Sequence, residues 1–276
     1  MTPSDDILAT RFGYGPLAGA KLDWRPDRIA QQVTGPDRLL QAYPVPGRDQ
    51  AMATAAGLRQ GKKAQRTEAD DMAIRQARAA IEAQVRQAGR ATIARALDSD
   101  QPFRERLVAF WTNHFCTRAK APKAGYLPAL MVEEAIRPNL AGRFGDLLVA
   151  ATTHPAMVLY LDQDSSFGPN SPAARKKGRG LNENLAREVM ELHSLGVNAG
   201  YTQTDVRQMA ELLTGLTFEY GSDRMFEPAR AEPGDETVLG KDYAGQGMQP
   251  IVQVLHDLAL RPETAHHIAT KLARHF

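Results

Sequence analysis

The residues best equipped for chemistry lie in the run GLNENLAREVMELHSLG, residues 180–196. It sets Asn182, Glu183, Asn184, Arg187, Glu188, Glu191 and His193 on one helix whose core side is marked by Leu185, Val189 and Leu192. Glu183 with Arg187, and Arg187 with Glu191, stand four residues apart and can bridge along that helix. His193 follows Val189 and Met190 by one turn, on the flank of the apolar stripe, where a half-buried imidazole must find partners. One reading is a polar network that locks helices together, with His193 satisfied by a backbone carbonyl. The other is a site. In it His114, His154, Glu188 and His193 would hold a divalent metal, and His114, Asn182, Glu183, Arg187 and Glu188 would form the catalytic set. The ion would lower the pKa of a bound water toward neutrality, Glu188 would serve as ligand or general base, and Arg187 would stabilise developing negative charge. Facing helices supply carboxylate and imidazole ligands in this way in bundle metal sites, although Glu188 and His193 are not at the Glu-x-x-His spacing of that pattern.

Other motifs carry less. Gly13-Tyr14-Gly15-Pro16 has no strand before it and no GK[ST] ending, so it is not a phosphate loop. HExxH and GxSxG do not occur. His256-Asp257 resembles the metal pair of helical phosphohydrolases, but no Asp follows position 257 to complete such a site. The single cysteine, Cys116, excludes an intrachain disulfide and a thiolate zinc cluster, and beside Phe115 it reads as a small buried residue.

Helical periodicity dominates the elements that must position these groups. Ser4 is placed to cap a short helix over residues 5–11, and a second helix follows Pro26. Residues 52–96, rich in Ala, Gln, Arg and Glu, predict a long helix or a hairpin broken near residues 57–61, read as a peripheral arm with a solvated charged face. Pro102 opens a helix with Leu107, Phe110, Trp111 and Phe115 at helical spacing, and further helices are expected over 127–140 and 144–152. Residues 163–180 read as a long polar loop carrying Arg175, Lys176, Lys177 and Arg179. Asn182 caps the helix that Gly196 stops, and Thr202 with Asp205 predicts a capping box. β-Prone runs between 216 and 243 predict a small hairpin, before two closing helices.

The expectation is one mainly all-α, multi-helix globular domain over residues 1–276, with the arm at 52–96 and the hairpin insertion at 216–243. The 276 residues suffice for a core without disulfide or metal support. Thirty-four basic against thirty-two acidic residues leave a net charge of +2, too balanced to argue for nucleic acid or a membrane surface. The arm's arginines are interleaved with Glu68, Asp70, Asp71 and Glu82 and have few aromatics beside them, so no nucleic-acid partner is expected. No apolar run is long enough to span a membrane, and the start MTPSDDILATRFGYGP has no leader pattern, which reads as cytoplasmic. The last helix reaches Phe276 with its stripe of Ile268, Leu272 and Phe276 still running, which predicts a longer protein.

Several blocks carry a family resemblance in order along the chain: Arg11-Phe12-Gly13, Trp111-Thr112-Asn113-His114-Phe115, Gly142-Arg143-Phe144-Gly145-Asp146-Leu147-Leu148 and His154-Pro155-Ala156-Met157. Tyr160-Leu161-Asp162, Asn182-Glu183-Asn184-Leu185-Ala186-Arg187-Glu188, Gly200-Tyr201-Thr202-Gln203 and Leu213-Thr214-Gly215 continue it. Together they resemble the bacterial DUF1800 family from about residue 7 onward. The resemblance implies a mainly helical fold, members that are commonly longer and often exported, and frequent neighbourhood with DUF1501 proteins. It supplies no catalytic residues. Two functions stay open: a metal-assisted hydrolase acting on an envelope or extracellular substrate, and a non-catalytic binding or assembly module partnering a DUF1501-type protein.

Overall fold

A computed structural model describes residues 5–16, 22–58, 67–178, 180–220, 222 and 224–276. The expected Ser4 cap and the side chains of Lys177 and Arg179 lie outside the described residues. The chain is mainly α-helical. It begins with α1 (Asp5–Phe12), α2 (Pro26–Thr34), α3 (Leu39–Ala42) and α4 (Arg48–Ala56). The 31-residue α5 (Glu68–Asp98) starts at a capping box in which the Thr67 hydroxyl accepts the Asp70 N–H and Asp70 returns the bond. The break in the arm therefore falls after Ala56, near the predicted position. Every three to four residues α5 buries a side chain, Ala77, Ile81, Gln84, Ala88, Ala91 and Arg95, and with that face it packs on α4 and α6 (Pro102–His114). Arg95 corrects the expectation of a uniformly solvated charged face: it is 1% exposed.

The centre is gathered by α7 (Leu127–Met131), α8 (Phe144–Thr153), α9 (Pro155–Tyr160), α10 (Pro172–Lys177), α11 (Asn184–Glu188) and α12 (Gln203–Leu212). The closing helices are α13 (Met248–Ala259) and α14 (Pro262–His275). Leu148, Met157, Leu185, Val189, Met209 and Leu255 are all withdrawn from solvent and belong to one continuous core. Gly145 lets α8 approach α13 closely, because a Cβ there would sit 2.5 Å from Nδ1 of His256. The long polar loop is more ordered than its composition suggested: a 3₁₀ turn (Gln163–Ser165) and α10 occupy it, the latter capped by the Ser171 hydroxyl on the Ala174 N–H. The hairpin forms at the far end of its predicted region, where β1 (Glu236–Val238) pairs antiparallel with β2 (Lys241–Tyr243). The earlier β-prone run contributes only an isolated bridge between Leu216 and Phe226. Cys116, expected to be buried, is exposed. Among the described residues no helix is long and apolar enough to cross a membrane.

Candidate functional site

Two helices predicted as regular α-helix instead widen into π turns, a feature that often marks functional positions. In the first, α7 runs into the π turn Val132–Ile136 and then tightens into a 3₁₀ turn, Arg137–Asn139. Pro138 supplies the reason. It has no N–H to give the carbonyl four residues back, so the regular bond ladder cannot continue through it. The turn presents Glu133 and Glu134 in succession. Glu133 accepts from Arg95 Nη1 at 2.6 Å and faces Arg137 Nε at 3.6 Å. Arg137 in turn donates to Glu105 at 2.5 Å and to Asp37 at 2.8 Å, with Arg137 and Glu105 both nearly inaccessible.

Glu134 accepts from Arg48 and from His154 Nε2, the latter at 3.2 Å. His154 is also the N-cap of α9: its Nδ1 accepts the Ala156 N–H at 3.1 Å. An Nδ1 that accepts leaves the proton on Nε2, so the ring is neutral and donates to the carboxylate. Burial lowers the His154 pKa against the opposing pull of Glu134. For Glu134 burial acts upward, but the bonds from His154 and Arg48 outweigh it and hold the carboxyl below the usual range. Arg48, Glu134 and His154 line a cavity of about 380 Å³ walled by Phe218 and Met225.

The second π turn, Val189–His193, continues α11. The Ser194 hydroxyl takes the Val189 carbonyl at 2.6 Å, and the Gly196 N–H reaches back to the Met190 carbonyl at 3.2 Å. Gly196 has φ +95°, which favours glycine, and a Cβ there would lie 3.0 Å from His267 Nδ1. His114 Nε2 donates to the His193 carbonyl at 3.2 Å, and His267 Nε2 to the Leu192 carbonyl at 3.3 Å. Two imidazole N–H groups thus satisfy carbonyls that the end of a helical segment leaves open. The rings of His114 and His193 are 5.9 Å apart, packed on Phe115 and Trp111. The Nδ1 atoms of both are buried without a hydrogen-bond partner. Burial first, and then the Lys271 charge, push the pKa of His114 down to about 3 and that of His193 to about 4. Burial likewise lowers Lys271 itself.

The remaining candidates stand elsewhere. Asn182 Nδ2 donates to the carbonyls of Leu161 and Asp162 at 3.0 and 3.1 Å, and its Oδ1 accepts the Asn184 N–H at 3.0 Å. It is a clamp on the turn at Asp162, whose φ of +56° needs holding. Arg187 bridges Glu183 at 3.0 Å and Glu191 at 3.4 Å, the two pairs that the spacing predicted, and adds Gln203 at 3.1 Å. Glu188 is half-buried, its pKa raised by burial and then by Glu191. The four residues expected to hold a metal are therefore not gathered. His114 and His193 adjoin, His154 is engaged by Glu134 and Ala156, and Glu188 lies against Glu191. Among the described residues no group of three or more His, Cys, Asp or Glu side chains could hold a metal ion. His256 and Asp257 also part company: His256 faces Asp146 at 3.7 Å, while Asp257 binds Lys241 and Tyr243.

Sequence reasoning missed Arg48, Glu134 and Lys271, the partners that set the charge state of the histidines. Arg48 lies 86 positions from Glu134, and Lys271 sits on the last helix, so neither left a local spacing signal. Pro138 after Glu133-Glu134 was the one usable sign of an irregular turn. Comparisons with curated proteins and with solved structures return no match. The family model described as DUF1800, protein of unknown function, matches residues 7–276, and the chain belongs to that family.

Proposed function

We propose that the chain is a binding and assembly module that docks a partner through the outer face of α5. What carries this reading is the second face of that helix. Opposite the buried stripe, Met72, Ala79, Ala83, Arg86, Arg90, Ile93 and Leu97 fall on one side of the helix and all are exposed. Ile93 and Leu97 are 63% and 64% exposed. Neighbouring large aliphatic side chains left in water beside two arginines suit a partner surface that is apolar and rimmed with carboxylates. The family resemblance points to a DUF1501-type protein as that partner.

The test is co-expression with the DUF1501-type protein from the same genome, followed by light scattering on the purified material. A complex that Ile93→Glu and Leu97→Glu abolish, with thermal stability unchanged, is the expected outcome. A complex indifferent to both changes, or no complex at all, contradicts it.

One observation favours the second reading, a metal-assisted hydrolase acting on an envelope or extracellular substrate. The unpartnered Nδ1 atoms of His114 and His193 are nitrogens of the type metals use, and the His114 ring is fixed by its Nε2 bond to the His193 carbonyl. Elemental analysis of tag-free protein decides it: a stoichiometric metal lost in His114→Ala and His193→Ala establishes this reading in place of the first.

A further inference from the structure

A smaller cavity, of about 180 Å³, opens beside the turn that Asn182 clamps. It holds less than a drug-sized ligand needs. The turn that forms one wall is pinned on several sides. Asn182 holds the carbonyls of Leu161 and Asp162, the buried Gln163 donates to the Leu213 carbonyl at 2.8 Å, and Arg230 donates to the Asp164 carbonyl at 2.6 Å. Rigid backbone of this kind presents the Asp164 side chain in a fixed place. Asp164 is half-buried; burial and then Asp162 raise its pKa, against the opposing charges of Arg230 and Lys123 and a bond from its own backbone N–H.

Tyr220 also lines the cavity, within reach of the Asp164 charge. Its ring is 8% exposed with Lys123 Nζ lying 4.7 Å from the ring centre, and its hydroxyl is buried with no hydrogen-bond partner. An unmade hydrogen bond on a buried hydroxyl costs stability, which a bound molecule would recover. The charges around the cavity do not cancel. Lys120 is paired with Asp162 at 2.6 Å, and among the described residues Arg118, Lys123 and Asp164 have no ion pair within 4 Å, although the Lys123 and Arg230 charges reach Asp164. The floor is aliphatic, with Leu127 and Ala156 among its buried residues.

We propose that this cavity binds a small aliphatic α-amino acid as its zwitterion. Its ammonium meets Asp164 and the Tyr220 oxygen, its carboxylate meets Arg118 and Lys123, and its side chain rests on Leu127 and Ala156. A sugar would leave the two rim cations unused, and a simple anion would face the Asp164 carboxylate. The site is independent of the α5 docking face, so either proposal can fail alone.

Saturation-transfer NMR with L-valine on the full chain tests it, with N-acetyl-L-valine, L-valinamide and glucose as comparison probes. L-valine is expected to bind, and the three comparison probes at least about tenfold more weakly, since each lacks a charge the site pairs. Asp164→Asn should weaken L-valine binding about tenfold or more while leaving the thermal midpoint unchanged or raised, because a desolvated carboxylate has been neutralised. Tyr220→Phe should weaken it by about two- to tenfold. Absence of L-valine binding, equal binding of N-acetyl-L-valine, or undiminished binding by Asp164→Asn overturns the proposal.

Discussion

The two π turns receive the same kind of pressure and answer it differently. Val132–Ile136 brings acidic side chains inward, and every one that it buries meets a cation or an imidazole N–H: Glu133 with Arg95 and Arg137, Glu134 with Arg48 and His154. Val189–His193 brings an imidazole inward and meets it with another imidazole, a carbonyl and aromatic rings. The first turn keeps charges buried by pairing them. The second keeps its groups neutral. A buried charge that loses its partner is costly, whereas a neutral ring in an apolar setting can be replaced by another ring at little cost.

That contrast makes ordered predictions. Arg137→Met should be the most damaging, by about 3–5 kcal/mol in a urea-unfolding comparison, because Glu105 is left buried and unpaired. A loss under about 1 kcal/mol would show that the first turn's network is not what holds α6 against it. Next comes pH. His114 and His193 bind protons more weakly folded than unfolded, so their contribution is complete above the unfolded value near 6.5 and is lost as the pH falls toward 4. Between pH 7 and 5 the two together should cost about 4 kcal/mol, and His193→Phe should remove about half of that dependence. An unchanged pH slope in the variant would mean the ring is not buried neutral.

His154→Ala should cost about 2 kcal/mol, combining loss of the α9 cap with loss of one of the two donors to Glu134, which keeps Arg48. At the small end, His193→Phe at pH 7 should stay within about 1 kcal/mol of the parent, since its Nδ1 has no bond to lose. These variants separate the turns cleanly: changes at the first act at all moderate pH values, while changes at the second act chiefly on the acid limb.

Much of the fold was legible. The three-to-four spacing of apolar residues located the major helices, Thr202 with Asp205 and Gly196 behaved as the local rules require, and the Glu183–Arg187–Glu191 ladder follows from spacing alone. The π turns were not, because a π turn keeps nearly the same residue pattern as an α-helix and differs only in which carbonyl each N–H reaches. The surroundings of the candidate histidines were legible only in part. His193 does lie on the flank of the stripe, and a carbonyl of its own turn does bind an imidazole, but the imidazole is that of His114. His154 was expected beside His114 and instead caps α9, since pattern reasoning sees that a histidine will be buried and not what it will meet. The partners Arg48, Glu134 and Lys271 come from distant elements that only the packed core brings together.

The most direct measurement is an NMR titration of the imidazole ¹³C and ¹⁵N signals of His114, His154 and His193, from pH 8 down to the acid unfolding limit. All three should remain neutral through the range near 6.5, with His114 and His154 carrying the proton on Nε2 and His114 and His193 protonating only as the fold is lost. A midpoint near 6.5 for His114 or His193 in the folded protein, or a proton on Nδ1 of His154, would contradict the assignment of the first turn to paired charge and the second to neutral rings.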